Sequence, residues 1–209
     1  MWTSSRHSAL ACENVAQVTE ALNVAKDEHR PICISFIDLE NAYGTVRHNL
    51  IQWALWWYHV PEEFADLVFS YYSRQAAVVV SALWTTDWFQ YGTGTMQGCT
   101  IAAMLFNVSF NPMLEVFDLP QHRKLGFKVA PETRPIPNKV YADDLTILTA
   151  EPSENQILIN AFEAALSWTG SMRAKPSKCR SLALRAFKAD YNGPYRPVQH
   201  LVTHPMTRS

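Results

Sequence analysis

Cysteine, long apolar runs and excess positive charge are all scarce in this chain of 209 residues. No stretch has the roughly eighteen uninterrupted apolar residues that a membrane span needs, and the first residues contain no apolar signal core. These absences predict an intracellular protein without a membrane partner. The 4 cysteines show no paired metal-ligand spacing and are expected to be free, mostly buried thiols. They are Cys12, Cys33, Cys99 and Cys179.

Positive charge is unevenly distributed. The formal net charge is −1, which is unusual for a protein that binds nucleic acid, because phosphate contacts need Lys and Arg. Residues 1–120 hold 5 basic and 12 acidic side chains, whereas residues 121–209 hold 13 basic and 7 acidic ones. The densest basic stretch, residues 173–188, fits a solvated surface and a phosphate-binding surface equally well. Its candidate nucleic-acid contacts are Arg173, Lys175, Arg180 and Arg185.

Hydrophobic residues make up 48% of the chain, which is enough for one domain with a buried core. Periodicity predicts elements over residues 8–29 (helix), 32–37 (strand), 45–58 and 61–74 (helices), 76–91 (hairpin), 98–117 (helix), 138–150 (hairpin), 153–169 (helix) and 181–187 (edge strand). This order predicts an α+β domain over residues 1–188, an antiparallel sheet with helices on one face. Residues 189–209 are polar and without period, and we expect a disordered tail.

Two adjacent acids, Asp143 and Asp144, interrupt a run that is otherwise typical of a strand. Neighbouring like charges repel, and the middle of a strand is a costly place for them. A divalent cation would supply the counter-charge, since Mg²⁺ binds carboxylate oxygens and completes its shell with water and phosphate. An ordinary hairpin turn explains the pair equally well.

A third acid, Asp38, directly follows the apolar, β-branched run of residues 32–37. Polar groups at the end of a central strand are a usual place for chemistry. Asp38 could instead cap the next helix, but the amphipathic part of that helix begins nearer Thr45, several residues later. The position therefore favours a functional carboxylate.

A glycine-containing segment, residues 92–98, precedes the long apolar helix. Gly94 and Gly98 allow a ligand to approach the backbone closely, and Gln97 offers both a donor and an acceptor. Taken alone, the segment is better explained as a plain turn that opens a buried helix.

In this order, the three segments resemble the palm of a reverse transcriptase. Residues 36–48 resemble the first palm motif, residues 94–99 the second, Tyr141-Ala142-Asp143-Asp144 the third and residues 168–179 the fourth. The pattern is most similar to retrotransposons without long terminal repeats. Two departures stand out: Gly44 replaces a second Asp that the family usually has, and Lys175 stands where the family often has Asn.

The resemblance implies an RNA-directed DNA polymerase that uses two Mg²⁺ ions, for which Mn²⁺ can substitute. Its partners would be an RNA template with a DNA primer and deoxynucleoside triphosphates. The implied catalytic and metal-binding acids are Asp38, Asp143 and Asp144, with the Leu39 carbonyl as a further metal ligand. The implied nucleotide contacts are Leu39, Tyr43, Gln97, Gly98 and Lys178.

The resemblance also implies missing parts. The family has a fingers subdomain before the first palm motif and a helical thumb after the last, and few residues flank the motifs here. We therefore expect a palm with a residual fingers helix and no thumb, whose missing parts lie on a longer parent chain. Such a palm is expected to be weak or inactive in isolation. The alternatives are a catalytically dead remnant that only binds nucleic acid or supports structure, and another palm-type enzyme, against which Tyr43 and Gln97 argue.

Overall fold

The computed structural model describes residues 4–96 and 98–184, with side chains from Cys12 onward. Gln97, Arg185 and the predicted disordered tail lie outside the described residues. The elements are α1 (Ser4–Asp27), β1 (Ile32–Ile37), α2 (Ala42–Thr45), α3 (His48–Trp57), α4 (Glu62–Ser73), β2 (Ala76–Ala77), β3 (Phe89–Gln90), α5 (Ala102–Leu114), α6 (Pro120–Arg123), β4 (Asn138–Tyr141), β5 (Asp144–Thr149), α7 (Pro152–Trp168) and β6 (Arg180–Leu184).

The centre of the fold is a four-stranded antiparallel sheet in the order β4-β5-β1-β6. β1 is the β-branched run predicted from the sequence, and it lies between β5 and β6. β6 is an edge strand, also as predicted. Of the 4 cysteines, which are all free, Cys33 on β1 is buried whereas Cys12 is exposed, so the expectation of mostly buried thiols is wrong for Cys12.

The larger core lies on one face of the sheet. Because side chains alternate along a strand, Ile37, Leu145 and Ile147 point to this face, and α3, α4, α5 and α7 cover it. The aromatic centre of the core is a chain of ring contacts from Phe106 through Phe110 to Phe162. No helix in the described part of the chain is long and apolar enough to cross a membrane.

A smaller core lies on the opposite face. Ala21 and Ala25 of α1 pack there against Ile32, Ile34 and Leu148. The predicted arrangement of helices on one face therefore describes the main core, and α1, the expected residual fingers helix, adds a partial layer on the second face. The end of this face nearest Phe36 stays open, with Phe36 48% exposed.

Three predicted elements are shorter or broken. The helix predicted over residues 45–58 begins only at His48, because Val46 is extended and its carbonyl oxygen accepts a hydrogen bond from the Gly94 N–H over 2.7 Å. The helix predicted over residues 98–117 begins only at Ala102 and ends in a 3₁₀ turn. The hairpin of residues 76–91 forms one pair of two-residue strands and one isolated bridge. No side chain of that hairpin joins either core, so burial does not extend its ladder.

Candidate active site

β1 brings Asp38 to the end of the sheet, between its two neighbouring strands. Ile37 pairs with Leu145 on β5, and Phe36 pairs with Arg180 on β6. Continuing these antiparallel registers places Asp144 on one side of Asp38 and Lys178 on the other. The Lys178 Nζ atom lies 3.3 Å from Asp38 Oδ1.

The second carboxylate oxygen of Asp38 is in a different situation. Asp38 Oδ2 is buried and has no hydrogen-bond partner among the residues that the structure describes. A buried polar atom without a partner is uncommon, because it loses its water without compensation. The atom is therefore available to a group that the chain itself does not supply.

The acid pair lies at the tip of the hairpin formed by β4 and β5. Tyr141 pairs with Asp144, which leaves Ala142 and Asp143 as a two-residue turn. Ala142 has a φ of 54°, the positive value that such tight hairpin turns need. The backbone at the acid pair therefore forms the hairpin turn that was one explanation of the sequence. This turn does not exclude a functional role for the two carboxylates.

The acids of the hairpin and of β1 influence one another. Partial desolvation raises the pKa of Asp144, and the charges of Asp143 and Asp38 raise it further, while Lys178 acts in the opposite direction. Like charges in one place favour the protonated form in this way. Asp38 and Asp143 therefore both lie close enough to Asp144 to act on its charge, and these three acids are called the acidic cluster.

The residues present fit a hard divalent cation. Within the described residues, no three or more His, Cys, Asp and Glu side chains are arranged as a self-contained metal cluster. Mg²⁺ in phosphate-handling proteins does not need one, since one or two carboxylates, water and substrate phosphate fill its shell. The unpaired Asp38 Oδ2 and the mutual repulsion of the acids are the two observations that support the fit.

The backbone of Leu39 is fixed next to Asp38. Leu39 forms an isolated antiparallel bridge with Ala174, flanked by hydrogen bonds from the Glu40 N–H to the Arg173 carbonyl (2.9 Å) and from the Lys175 N–H to the Asp38 carbonyl (2.7 Å). In this kind of pair the carbonyl of the central residue points away from its partner. The Leu39 carbonyl therefore points away from Ala174, while its side chain is buried in the main core.

Tyr43 adjoins the acidic cluster from α2. Its ring stacks on Phe106, with the centroids 4.6 Å apart, and it is only half-buried. Burial raises the pKa of the Tyr43 phenol, and the nearby Asp143 carboxylate raises it further. The ring thus packs against the core through Phe106, and its phenol lies close enough to Asp143 for that carboxylate to act on it.

The glycine segment is attached to α2 by its backbone. The Thr95 N–H donates to the Tyr43 carbonyl over 2.7 Å, and Gly94 has a φ of 92°. A Cβ atom on Gly94 would lie 3.0 Å from Gly44 Cα. Gly44, the departure from the family pattern, therefore belongs to a close contact between two backbones.

His48 also holds this segment, and sequence reasoning missed it. Its Nε2 atom lies 3.1 Å from the Gly94 carbonyl oxygen, and its ring packs edge-on against Tyr72. The helical pattern around His48 gave no sign of this contact, because the partner lies 46 residues away. Of the predicted nucleotide contacts in the segment, Gly98 has a φ of 90° with open space around it, and Gln97 lies outside the described residues.

Several side chains of the basic stretch already contact other groups of the chain. The Arg173 guanidinium lies 3.5 Å from Glu40, and Lys178 pairs with Asp38. Arg180 is exposed, but it donates hydrogen bonds to the carbonyls of Ser177 and Cys179. Lys175 is half-buried, and Arg185 lies outside the described residues. Part of the predicted phosphate-binding charge is thus already matched by the acids of residues 38–40.

Comparison with solved structures agrees with the architecture. Apo telomerase from Candida tropicalis, truncated from its C-terminal domain, aligns with 90% of this chain and 36% of its own, with a TM-score of 0.59 and 10% identity. Telomerase from Candida tropicalis in complex with a fragment of telomeric RNA aligns with 81% of this chain and 29% of its own, with a TM-score of 0.57 and 10% identity. Likeness at this identity concerns the fold alone, which is a polymerase palm.

Comparison with known sequences is more specific. The chain is 26% identical over 172 residues to the Retrovirus-related Pol polyprotein from type-1 retrotransposable element R2 of Nasonia vitripennis, covering 82% of this chain and 16% of that protein. It is 24% identical over 183 residues to the Transposon TX1 uncharacterized 149 kDa protein of Xenopus laevis, covering 87% and 14%. The chain therefore spans less than a fifth of these curated relatives.

A family model covers nearly the whole chain. The model for reverse transcriptase (RNA-dependent DNA polymerase) matches residues 4–201, which include all four segments that carry the resemblance. The chain therefore belongs to the reverse transcriptase (RNA-dependent DNA polymerase) family.

Proposed function

We propose that this chain is the catalytic palm of an RNA-directed DNA polymerase that adds nucleotides to a primer 3′-hydroxyl. The observation that carries the proposal is Asp38, whose buried Oδ2 atom lacks a partner at the end of the central strand. Asp38 and Asp143 would be the shared ligands of two Mg²⁺ ions. Asp144 would complete the acidic cluster, and the Leu39 carbonyl would supply a further oxygen.

When bound there, two divalent ions supply the charge that phosphoryl transfer needs at the attacking oxygen and at the leaving diphosphate. Either Mg²⁺ or Mn²⁺ would serve. The protein's own part is to hold the oxygens in place, and the backbone bonds around residues 38–40 favour this. Lys178 would donate a proton or charge to the diphosphate, since its side chain is 58% exposed and can reach beyond Asp38.

The substrates follow from the surroundings of the acids. Tyr43 would lie against the sugar of the incoming deoxynucleoside triphosphate, and its stacking on Phe106 would keep the ring from moving aside for a 2′-hydroxyl. Gln97 and Gly98 would line the nucleotide. The RNA template and DNA primer would be held through their backbones, in part by Lys175, Arg180 and Arg185.

We expect weak binding and poor extension by these 209 residues alone. The net charge is −1, and Arg173 and Lys178 are already paired with acids. Each phosphate contact contributes a salt slope of only about −0.9, so few contacts mean a shallow dependence on salt. The parts that clamp the duplex, the fingers and thumb, would lie on a longer parent chain.

Primer extension on an RNA template with Mg²⁺ or Mn²⁺ tests the proposal. The chain should be assayed alone and with flanking sequence from its parent element, each beside Asp143→Asn. Extension should be weak alone, stronger with the flanks, and lost in Asp143→Asn. Asp66→Asn, at an exposed position of α4, is the matched control and should keep full activity.

Three results would overturn parts of the proposal. Extension that survives Asp143→Asn would remove the acids from catalysis. Absence of extension even with the flanking sequence, together with retained nucleic-acid binding, would favour the dead-remnant alternative. Robust, processive synthesis by the 209 residues alone would contradict the expected need for a clamp.

A further inference from the structure

We infer that Lys178 is the internal counter-ion of the acidic cluster, and that a cation binding at Asp38 must first displace its ammonium group. Lys178 would then set how tightly the site binds metal, in addition to its part in the reaction. The inference rests on the proposed function, because the cation in question is the metal of that site.

The position of Lys178 is specific to the cluster. Among the side chains that the structure describes, those of residues 12–96 and 98–184, Lys178 is the only cationic one within ion-pair distance of Asp38, Asp143 or Asp144. The strand registers place Lys178 and Asp144 on opposite sides of Asp38. Its ammonium therefore lies where an external cation would be attracted.

Lys178 neutralises the cluster incompletely. It contacts only Asp38 Oδ1, while Oδ2 stays buried without a partner. One positive charge also has to balance both Asp38, its ion-pair partner, and Asp144, on whose charge it acts. A divalent ion that uses both the free oxygen and the extra charge would therefore bind Asp38 more favourably than the ammonium does, and would take its place.

The displacement needs only side-chain movement. The backbone N–H of Lys178 donates to the Lys175 carbonyl over 2.9 Å, and the backbone N–H of Lys175 donates to the Asp38 carbonyl over 2.7 Å. The backbone of this turn is thus tied to the backbone of Asp38. An ammonium released from the carboxylate stays beside the site on its flexible stem, where a leaving diphosphate would need charge.

The size of the effect follows from exposure. Lys178 is 58% exposed and Asp38 26% exposed, and a partly exposed ion pair of this kind shifts an equilibrium by up to about fivefold. Removing the ammonium also removes its repulsion of the incoming metal. We therefore expect metal affinity to rise on the order of threefold to tenfold without Lys178.

Manganese binding measures this directly. The full 209-residue chain would be titrated with Mn²⁺, and free Mn²⁺ would be read by electron paramagnetic resonance, which requires no catalytic activity. Lys178→Gln removes the charge at similar length, and Lys178→Arg keeps it. Lys124→Gln, at an exposed position directly after α6, makes the same change in net charge away from the site.

The expected result is tighter Mn²⁺ binding in Lys178→Gln, with wild-type affinity in Lys178→Arg and Lys124→Gln. Asp38→Asn should lose the site in every background. Unchanged affinity in Lys178→Gln, or equal tightening in Lys124→Gln, would overturn the inference while leaving the proposed metal site intact. Wild-type binding that is insensitive to Asp38→Asn would instead refute the metal site of the proposed function.

Discussion

The two faces of the central sheet are built for different tasks. On the closed face, Cys33, Ser35 and Ile37 of β1 are all at most 4% exposed. On the other face, exposure rises along the same strand from 1% at Ile34 to 48% at Phe36, and the strand then leads to Asp38. A groove of about 400 Å³ lies there between α1 and the hairpin strands, and it reaches Asp144.

The difference separates a packed apolar region from a charged one in this fold. The closed face excludes water so well that burial raises the pKa of the Cys33 thiol to about 11, which keeps it uncharged. The open end instead gathers three acids whose charges oppose one another. Substitutions should therefore destabilise the closed face strongly and the open end weakly or not at all.

The largest expected effect is on the aromatic core of the closed face. Phe162→Ala should lower the free energy of unfolding by about 3–5 kcal/mol, because it removes a fully buried ring and leaves a cavity. Phe36→Ala is the matched control on the open face and should cost less than about 1 kcal/mol. Urea unfolding followed by circular dichroism measures both. Equal losses would contradict the distinction between the faces.

A second effect should appear where the glycine segment packs on α2. Gly94→Ala should cost about 2–3 kcal/mol, because it combines a positive φ with a contact 3.0 Å from Gly44. Gly98→Ala has the positive φ but open space, and Gly92→Ala has neither. Unfolding free energies should therefore fall in the order Gly92, Gly98, Gly94. A large loss in Gly92→Ala would show that the segment is constrained in another way.

A third, smaller effect concerns the polar contact within the closed face. Asn155 on α7 accepts a hydrogen bond from Ser35 over 2.5 Å and donates one to the Cys33 carbonyl over 3.4 Å. Asn155→Ala should cost about 1–2 kcal/mol, because it leaves buried groups unpaired. Asn160→Ala, exposed on the same helix, should be neutral. Chemical unfolding separates them, and a neutral Asn155→Ala would mean that the contact is dispensable.

Sequence reasoning succeeded where local patterns and function coincide. The β-branched run of β1 and the edge strand β6 were predicted because burial enforces their composition. The palm fold was predicted through the motifs, which keep their order along the chain. A hairpin turn and a functional acid pair were the two explanations of Asp143 and Asp144. In the structure, Asp143 lies in the turn and its charge also acts on Asp144, so the two explanations do not exclude each other.

Sequence reasoning failed where distant contacts decide local structure. The break between α2 and α3 depends on the hydrogen bond from the Gly94 N–H to the Val46 carbonyl oxygen. The periodicity of residues 42–58 cannot reveal this contact, because its donor lies in a distant segment. The ion pairs of Arg173 and Lys178 join segments more than a hundred residues apart. Because these two side chains are already paired with acids, counting the basic residues of 173–188 overestimates the positive charge that can bind phosphate. The catalytic roles of Asp38, Asp143 and Asp144 remain predictions.

The smallest expected effect has the opposite sign and lies at the open end. Asp143→Asn removes one of three mutually repelling charges without removing packed atoms. It should therefore leave the metal-free chain unchanged or stabilise it by up to about 1 kcal/mol. Thermal melts with and without Mg²⁺ measure the change, with Asp66→Asn at an exposed position of α4 as the control. Mg²⁺ should raise the melting temperature of wild type and of the control but not of Asp143→Asn. A clear loss of metal-free stability in Asp143→Asn, or an equal Mg²⁺ response in all three proteins, would show that the acidic end is held together by contacts like those of the closed face.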